Sequence, residues 1–447
     1  MSQHSYLAHT ADERTAMLES LGFTTQAELF SSIPESLQQF DLKLPPALSE
    51  LELLQELETL QKQNQPVQIS FLGGGAYHHF IPAALDTLVS RSEFLTAYTP
   101  YQAEVSQGTL QVIYEFQSLL CTLTGMEIAN ASSYEGATAT AEAMMMAHRL
   151  TRRNHILVSA ALHPEYREVL KTYADATGLT LETSALQGFQ TQSESFQSET
   201  EPAALVVQYP NFFGELENLQ ALANWVHQRK GLLIVVMADP TVLGVLEAPG
   251  NLGADIVCGE AQSFGNTLSL GGPYLGFLTA REAHLRQMPG RLCGLAQDQA
   301  GKRAFTLVLQ TREQHIRRER ATSNICTNQG LMALAATVWL SLLGKAGLQE
   351  LASLCLKQAH HLAKRIAELP GFEVVNSGPF FHEFVVKSTE PIETLFARLK
   401  KAHVLPGLRL QTWYPELENH FLVTVTEMNR PADLDHFIDL LAQVSSS

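Results

Sequence analysis

Hydrophobic and polar positions divide the chain into three stretches with different periods. Two acid-rich amphipathic stretches, Asp12–Leu21 and Ser49–Gln63, come first, separated by the breakers Pro34, Pro45 and Pro46. In the second, Leu53, Leu54, Leu57 and Leu60 recur at three- to four-residue spacing, the period of one helix face. From about Gln68 to Arg320 short apolar runs alternate with helical segments, the pattern of parallel strands joined by crossover helices. The runs 156–159, 205–208 and 232–237 have the length and β-branching of strands buried on both faces. Between the first two, the segment 164–176 has Pro at its first helical position and Gly178 just past its end; between the last two, the segment 216–229 closes at Gly231. Beyond them the pattern predicts helix over 331–343, punctuated by Gly344 and Gly347, and a long helix over 349–369 stopped by Pro370 and Gly371. Strand-like 384–386, helix-like 392–402, strand-like 421–425 and a last helix over 431–443 follow. These elements predict a helical arm over 1–65, a large α/β domain over 66–330 with a mainly parallel sheet, and a small C-terminal α/β domain over 331–447. There is no internal repeat.

Composition narrows the function classes. With 447 residues, 45% of them apolar, the chain has ample material for a large core and is not low-complexity. Its 30 basic residues against 46 acidic ones give a formal charge of −16, and the densest basic run is His315–Arg320, so a nucleic-acid partner is not expected. No uninterrupted apolar run reaches the ~18 residues of a membrane span, and the first 18 residues lack a basic-then-apolar leader pattern. A cytoplasmic protein without membrane partners is the expectation. The five cysteines, Cys121, Cys258, Cys293, Cys326 and Cys355, are odd in number and dozens of residues apart, which predicts reduced thiols and no metal centre.

Candidate chemistry concentrates at three places. The turn 129–138 runs into a small-residue helix, and Ser133, Gly136 and Thr138 could form an anion cradle from free amides and hydroxyls; a simply capped, tightly packed helix is the equal alternative. Asp239 follows the most hydrophobic run, so it sits where open α/β sheets bind ligands, either to pair with a cationic group or to open an Asp-Pro turn. His163, before Pro164, could stack on a flat cofactor or serve the structure. Cradle, aspartate and stacker in that order suggest pyridoxal phosphate (PLP), which also needs a lysine. No lysine lies between Lys230 and Lys302.

Longer motifs then identify a family. Phe71–Tyr77 (FLGGGAY), Tyr98–Gly108 (YTPYQAEVSQG), Asn130–Thr138, Gly271–Pro273, Met288–Arg291, Arg312–Glu319 (REQHIRRE) and Ala321–Gln329 (ATSNICTNQ) resemble the glycine decarboxylase P-protein, and in particular its separate alpha subunit, along the whole chain. The resemblance implies the aspartate-aminotransferase type of PLP-dependent fold. It also implies a role in the glycine cleavage system, with PLP-dependent decarboxylation of glycine and transfer of the aminomethyl group to the lipoyl arm of the H-protein. The Schiff-base lysine is expected in a beta subunit, with Ser263 at the matching position here, so that this chain is inactive alone and completes a site within an α2β2 assembly. Tyr98, Tyr101, Gln102 and Glu104 are then expected as pocket walls, with Ser133 and Glu135 reaching a neighbouring cofactor or the glycine carboxylate, and Thr322, Ser323 and Asn324 near the subunit seam. Ser133, Gly136, Thr138, His163 and Asp239 would be a vestigial cofactor pocket. His78 departs from the acidic residue expected after Ala76-Tyr77, and no role is expected of the His78-His79 pair. Two other readings stand beside this one: a purely docking partner of the beta subunit, and a self-sufficient PLP enzyme using Lys302 or Lys171.

Overall fold

A computed structural model of the chain describes residues 8–38, 42–186, 188–197 and 200–445. Parts of the expected arm, residues 1–7 and 39–41, lie outside the described residues. The chain divides into two units at Gln65/Pro66.

In the first unit, helices α1 (Ala11–Ser20) and α2 (Glu50–Gln61) begin where their sequence says they should. Thr10 and Ser49 are N-caps, and Glu13 and Glu52 reach back to them in capping boxes, each a local device that needs no tertiary contact. None of the described residues of this unit is buried.

The second unit is built on a seven-stranded sheet of β1 (Ile128–Ala129), β2 (His155–Val158), β3 (Thr180–Thr183), β4 (Ala204–Gln208), β5 (Leu232–Met237), β6 (Ile256–Glu260) and β7 (Gly276–Ala280). Their order is β1-β7-β6-β5-β4-β2-β3. The five strands from β3 to β6 pair in parallel, while β7 runs antiparallel to both neighbours. Helices α3 (Gln107–Thr124), α4 (Gly136–Thr151), α5 (Pro164–Thr177), α6 (Leu219–Gln228) and α7 (Gly330–Ala367) cover it. Strand residues alternate between two cores. Leu205, Val207, Leu233, Val235 and Val257 pack with Phe116 of α3, Leu222 of α6 and Trp339 of α7. Ala204, Val206, Ile234, Val236 and Ile256 pack with Met144 of α4 and Leu170 of α5. Period-two alternation with both faces covered explains why these strands read as unbroken apolar runs. At roughly 1.5–3 kcal/mol for each fully buried Val, Leu or Ile, the central strands supply much of the cohesion.

A four-stranded antiparallel sheet, in the order Phe372–Val374, Glu383–Ser388, His420–Thr424, Leu408–Arg409, forms a smaller layer toward the C-terminus. Ile69–Ser70 pairs in parallel with Val404–Leu405 and ties the start of this unit to that layer.

Three boundaries differ from the sequence pattern. Helix α6 starts at Leu219, because the Asn218 side chain caps it by accepting the Ala221 N–H. Helix α4 starts at Gly136 instead of Ala139 and is capped by Glu135. The two helices expected on either side of Gly344 are both present within α7, which is broken where Gly344 adopts the non-helical φ 59°, ψ −170°; the second starts ahead of its expected start at 349, because Gly347 is helical. Counted as one segment, α7 is long and apolar enough by length and composition to cross a bilayer. Its inward face, including Ala336, Trp339, Ala359 and Ile366, is buried, as in the core helix of a globular fold. All five cysteines are free.

Candidate functional site

Asp239 emerges from the C-terminal end of β5, as the hydrophobic run predicts, and is buried. Its Oδ1 accepts the Thr241 N–H (3.0 Å), and its Oδ2 faces His79 Nε2 (3.2 Å) and His382 Nε2 (3.5 Å). The other nitrogen of His79, Nδ1, lies 2.8 Å from Glu427 Oε2. Burial opposes charge on His79, but Asp239 and Glu427 outweigh it and raise its pKa to about 10. The carboxyls of Asp239 and Glu427 are held below their usual range against their own burial, largely by His79. His382, pushed down to about 4 chiefly by burial, is neutral. A buried imidazolium therefore bridges two carboxylates. His79 is the residue that sequence reasoning missed, because its partners lie 160 and 348 positions away.

Cys355 donates to Glu427 Oε2 (3.3 Å), so potential ligand atoms of His79, Cys355 and Glu427 lie within 4.8 Å of one another. They already satisfy each other by hydrogen bonds.

The helix-start cradle is occupied by the chain itself. The Gly136 N–H donates to Glu260 Oε2 (2.9 Å), the Ala137 N–H to Glu135 Oε2 (2.5 Å) and the Thr138 N–H to Glu135 Oε1 (2.9 Å). The positive end of α4 is thus neutralised by carboxylates, which would repel a second anion. Glu260 is pushed up to about 7, mainly by burial. Ser133 is buried, its N–H bonded to the Gly276 carbonyl (2.7 Å) and its Oγ accepting from Asn130 (3.2 Å).

His163 is committed too. Its Nε2 donates to the Gly74 carbonyl (2.6 Å), its Nδ1 accepts the Glu165 N–H (3.2 Å), and its ring packs on Tyr166 and Phe212. Gly75, at φ +118°, lets the backbone pass over that ring: a Cβ there would lie 2.8 Å from His163 Nε2. Ser263 is buried with no hydrogen-bond partner for its Oγ. The space left near Asp239, lined by Tyr77, Pro210, His382 and Glu383, is about 10 Å³, roughly one water molecule.

The second cluster lies on the surface. Tyr98 is 79% and Tyr101 49% exposed. Buried Arg291 holds Tyr101: its guanidinium lies 5.3 Å from the ring centroid and Nη2 donates to the phenol oxygen (3.2 Å). Arg291 also donates to the Cys326 carbonyl and to Asn328 Oδ1 (3.4 Å), coupling the 98–104 turn to the 326–329 segment. Tyr98, Pro100, Ile113, Asn328 and Leu334 line an open cavity of about 230 Å³. Gln102 and Glu104 are exposed beside this turn. Glu135 belongs to the helix cap and does not join the cluster. Ser323 donates to Glu142 Oε1 (2.7 Å) and the Thr322 N–H bonds the Arg312 carbonyl, while Asn324 is exposed.

Residues 4–441 match the family model of the glycine cleavage system P-protein. The chain belongs to that family. Among P-protein relatives, it is 48% identical over 445 residues to the probable glycine dehydrogenase (decarboxylating) subunit 1 of Desulfitobacterium hafniense, covering 98% of this chain and 100% of that one. It is also similar to the crystal structure of a glycine decarboxylase P-protein in inhibitor-bound form, with TM-score 0.89 and 41% identity over 99% of this chain and 100% of that one. Sphingosine-1-phosphate lyase of Burkholderia pseudomallei, at TM-score 0.65, 14% identity and coverage of 93% and 95%, shares the fold alone. That fold is the one of fold-type I PLP-dependent enzymes, as the sequence motifs imply.

The residues of this P-protein chain do not fit PLP at the strand ends. The cradle amides face Glu135 and Glu260, Asp239 is paired with His79, His163 lies under the 73–75 loop, and Ser263 offers no amine. In this structure Gly136 and Thr138 lie at the capped start of α4, Ser133 and His163 are buried and hydrogen-bonded within the chain, and Asp239 is paired with His79.

Proposed function

We propose that this chain is the lysine-lacking subunit of a glycine decarboxylase and that it completes the active site of a second, lysine-bearing subunit. PLP is then held covalently by that subunit, glycine is the substrate, and the aminomethyl group passes to the lipoyl arm of the H-protein. Under the same reading the assembly is an α2β2 heterotetramer in the cytoplasm, this chain is inactive alone, and residues 66–330 and 331–447 are its large and small domains. One observation carries the reading: a P-protein chain fills its own strand-end pocket with Glu135, Glu260 and His79, yet keeps Tyr98 exposed and Tyr101 half exposed, the latter held on a buried arginine. Tyr98 and Tyr101 would wall the neighbouring site and exclude water from it, with Gln102 and Glu104 as polar contacts. Arg291, by ordering Tyr101 and the 326–329 segment, would limit their motion before substrate arrives.

The test is glycine decarboxylation by the reconstituted complex. Tyr101→Phe and Tyr98→Ala should lower turnover about 10-fold or more at unchanged assembly, the scale of a lost positioning contact, and borohydride should label only the second subunit. Unchanged turnover with intact assembly would leave this chain a docking partner. Stoichiometric labelling of Lys171 or Lys302 would instead make it a self-sufficient enzyme.

A further inference from the structure

The first unit has no core of its own. Among the described residues, 14 of the 30 exposed large hydrophobic side chains fall between Met17 and Leu60, and none of the unit's described residues is buried. On α2, Leu53, Leu54, Leu57 and Leu60 are all about half exposed; Leu53, Leu57 and Leu60 follow the i, i+4, i+7 spacing of a single face, and Leu54 adjoins it three residues before Leu57. Helices α1 and α2 are 10 and 12 residues long, at or below the ~12–15 residues under which an isolated helix is only marginal in water. Their capping boxes contribute about 1 kcal/mol each, too little to replace a packing partner. Covering these side chains would remove on the order of 1,000 Å² from water, the scale of one side of a specific interface.

We propose that the α2 leucine face of the 1–65 segment is a docking surface for the second subunit of the enzyme, on an apolar groove with a basic rim. Two observations choose this occupant over a second copy of the chain. The relatives are named subunit 1, so their enzyme has another subunit. Residues 1–65 carry ten acidic against three basic residues, and the remainder of the chain is also net acidic, so a homotypic contact would set like charges together. The proposal rests on the two-subunit reading above.

The test mixes the full-length chain with the lysine-bearing second subunit from the same genome and measures affinity by sedimentation. Leu53→Asp with Leu57→Asp should raise Kd about 100-fold, as expected when two central anchors are lost, and Leu53→Met with Leu57→Met should bind like the wild type. Thermal melting of the chain alone should change little, because these leucines stand about half exposed on α2. Unchanged affinity of the Asp variant would overturn the docking surface while leaving the two-subunit reading in place. So would self-association of the chain alone that the same substitutions abolish. Failure of the wild-type chain to bind the second subunit would overturn both.

Discussion

His79→Gln removes the cation between Asp239 and Glu427 and keeps a side chain of hydrogen-bonding character. In the wild type His79 lies 3.2 Å from one carboxylate and 2.8 Å from the other, out of contact with solvent. Losing it leaves two like charges facing each other across a site that water barely reaches. Breaking a buried pair in this way costs about 3–5 kcal/mol. An imidazole pKa raised from 6.5 to about 10 is of the same order, since every tenfold gain in proton affinity corresponds to about 1.4 kcal/mol. The sign follows from proton binding. The folded state holds a proton on His79 that the unfolded state releases above pH 6.5, so this stabilisation is complete below pH 6.5 and is lost as pH rises toward 10. Between pH 7.5 and 9.5, Glu260 and Glu383, both raised to about 7, lose their last protons, and the cysteines raised by burial add a falling slope of their own; both are common to wild type and variant, so the difference between the two profiles reports His79. Thermal melts at half-unit steps across that window should show wild-type Tm falling with pH. The His79→Gln protein should melt roughly 5 °C or more lower at pH 7.5, with a flatter profile. Parallel profiles, or a Tm within about 1 °C of the wild type at pH 7.5, would refute the buried imidazolium.

Other outcomes follow from the same structure. Gly75→Ala combines a positive φ with a Cβ 2.8 Å from His163 Nε2 and should cost about 2 kcal/mol or more in a denaturation experiment, with loss of the His163 contact to Gly74. Glu135→Ala frees the Ala137 and Thr138 amides and should destabilise by about 1–2 kcal/mol, while Glu135→Asn, still a capping residue, should recover part of it. Thiol titration of the native protein should find one fast-reacting cysteine, Cys326, which is exposed; burial raises the pKa of Cys121, Cys258, Cys293 and Cys355. Cys326→Ser should abolish the fast phase.

Much of this protein could be read from its residues in order. Strands such as Leu232–Met237 are legible because a segment buried on both faces must be apolar throughout, whatever its neighbours are. The capped starts of α1 and α2 are legible because Thr10 with Glu13 and Ser49 with Glu52 act within one turn. The absence of a lysine between Lys230 and Lys302 is a fact of composition, and the long motifs name the family. The tertiary structure decided what lies far apart in the chain. A helix start rich in Ser, Gly and Thr reads equally as a cradle or a packed helix; only the fold shows that its amides bond Glu135 within the turn and Glu260, 124 residues beyond Gly136. His79 carries no local signal, since its charge exists only once folding brings Asp239 and Glu427 to its two nitrogens. Gly344 breaks α7 as its pattern predicts, but Gly347 reads as a second breaker and is helical in the fold. Local periodicity and capping act over a few residues, whereas desolvation and charge pairing depend on which distant groups share one dry volume, and only the fold sets that.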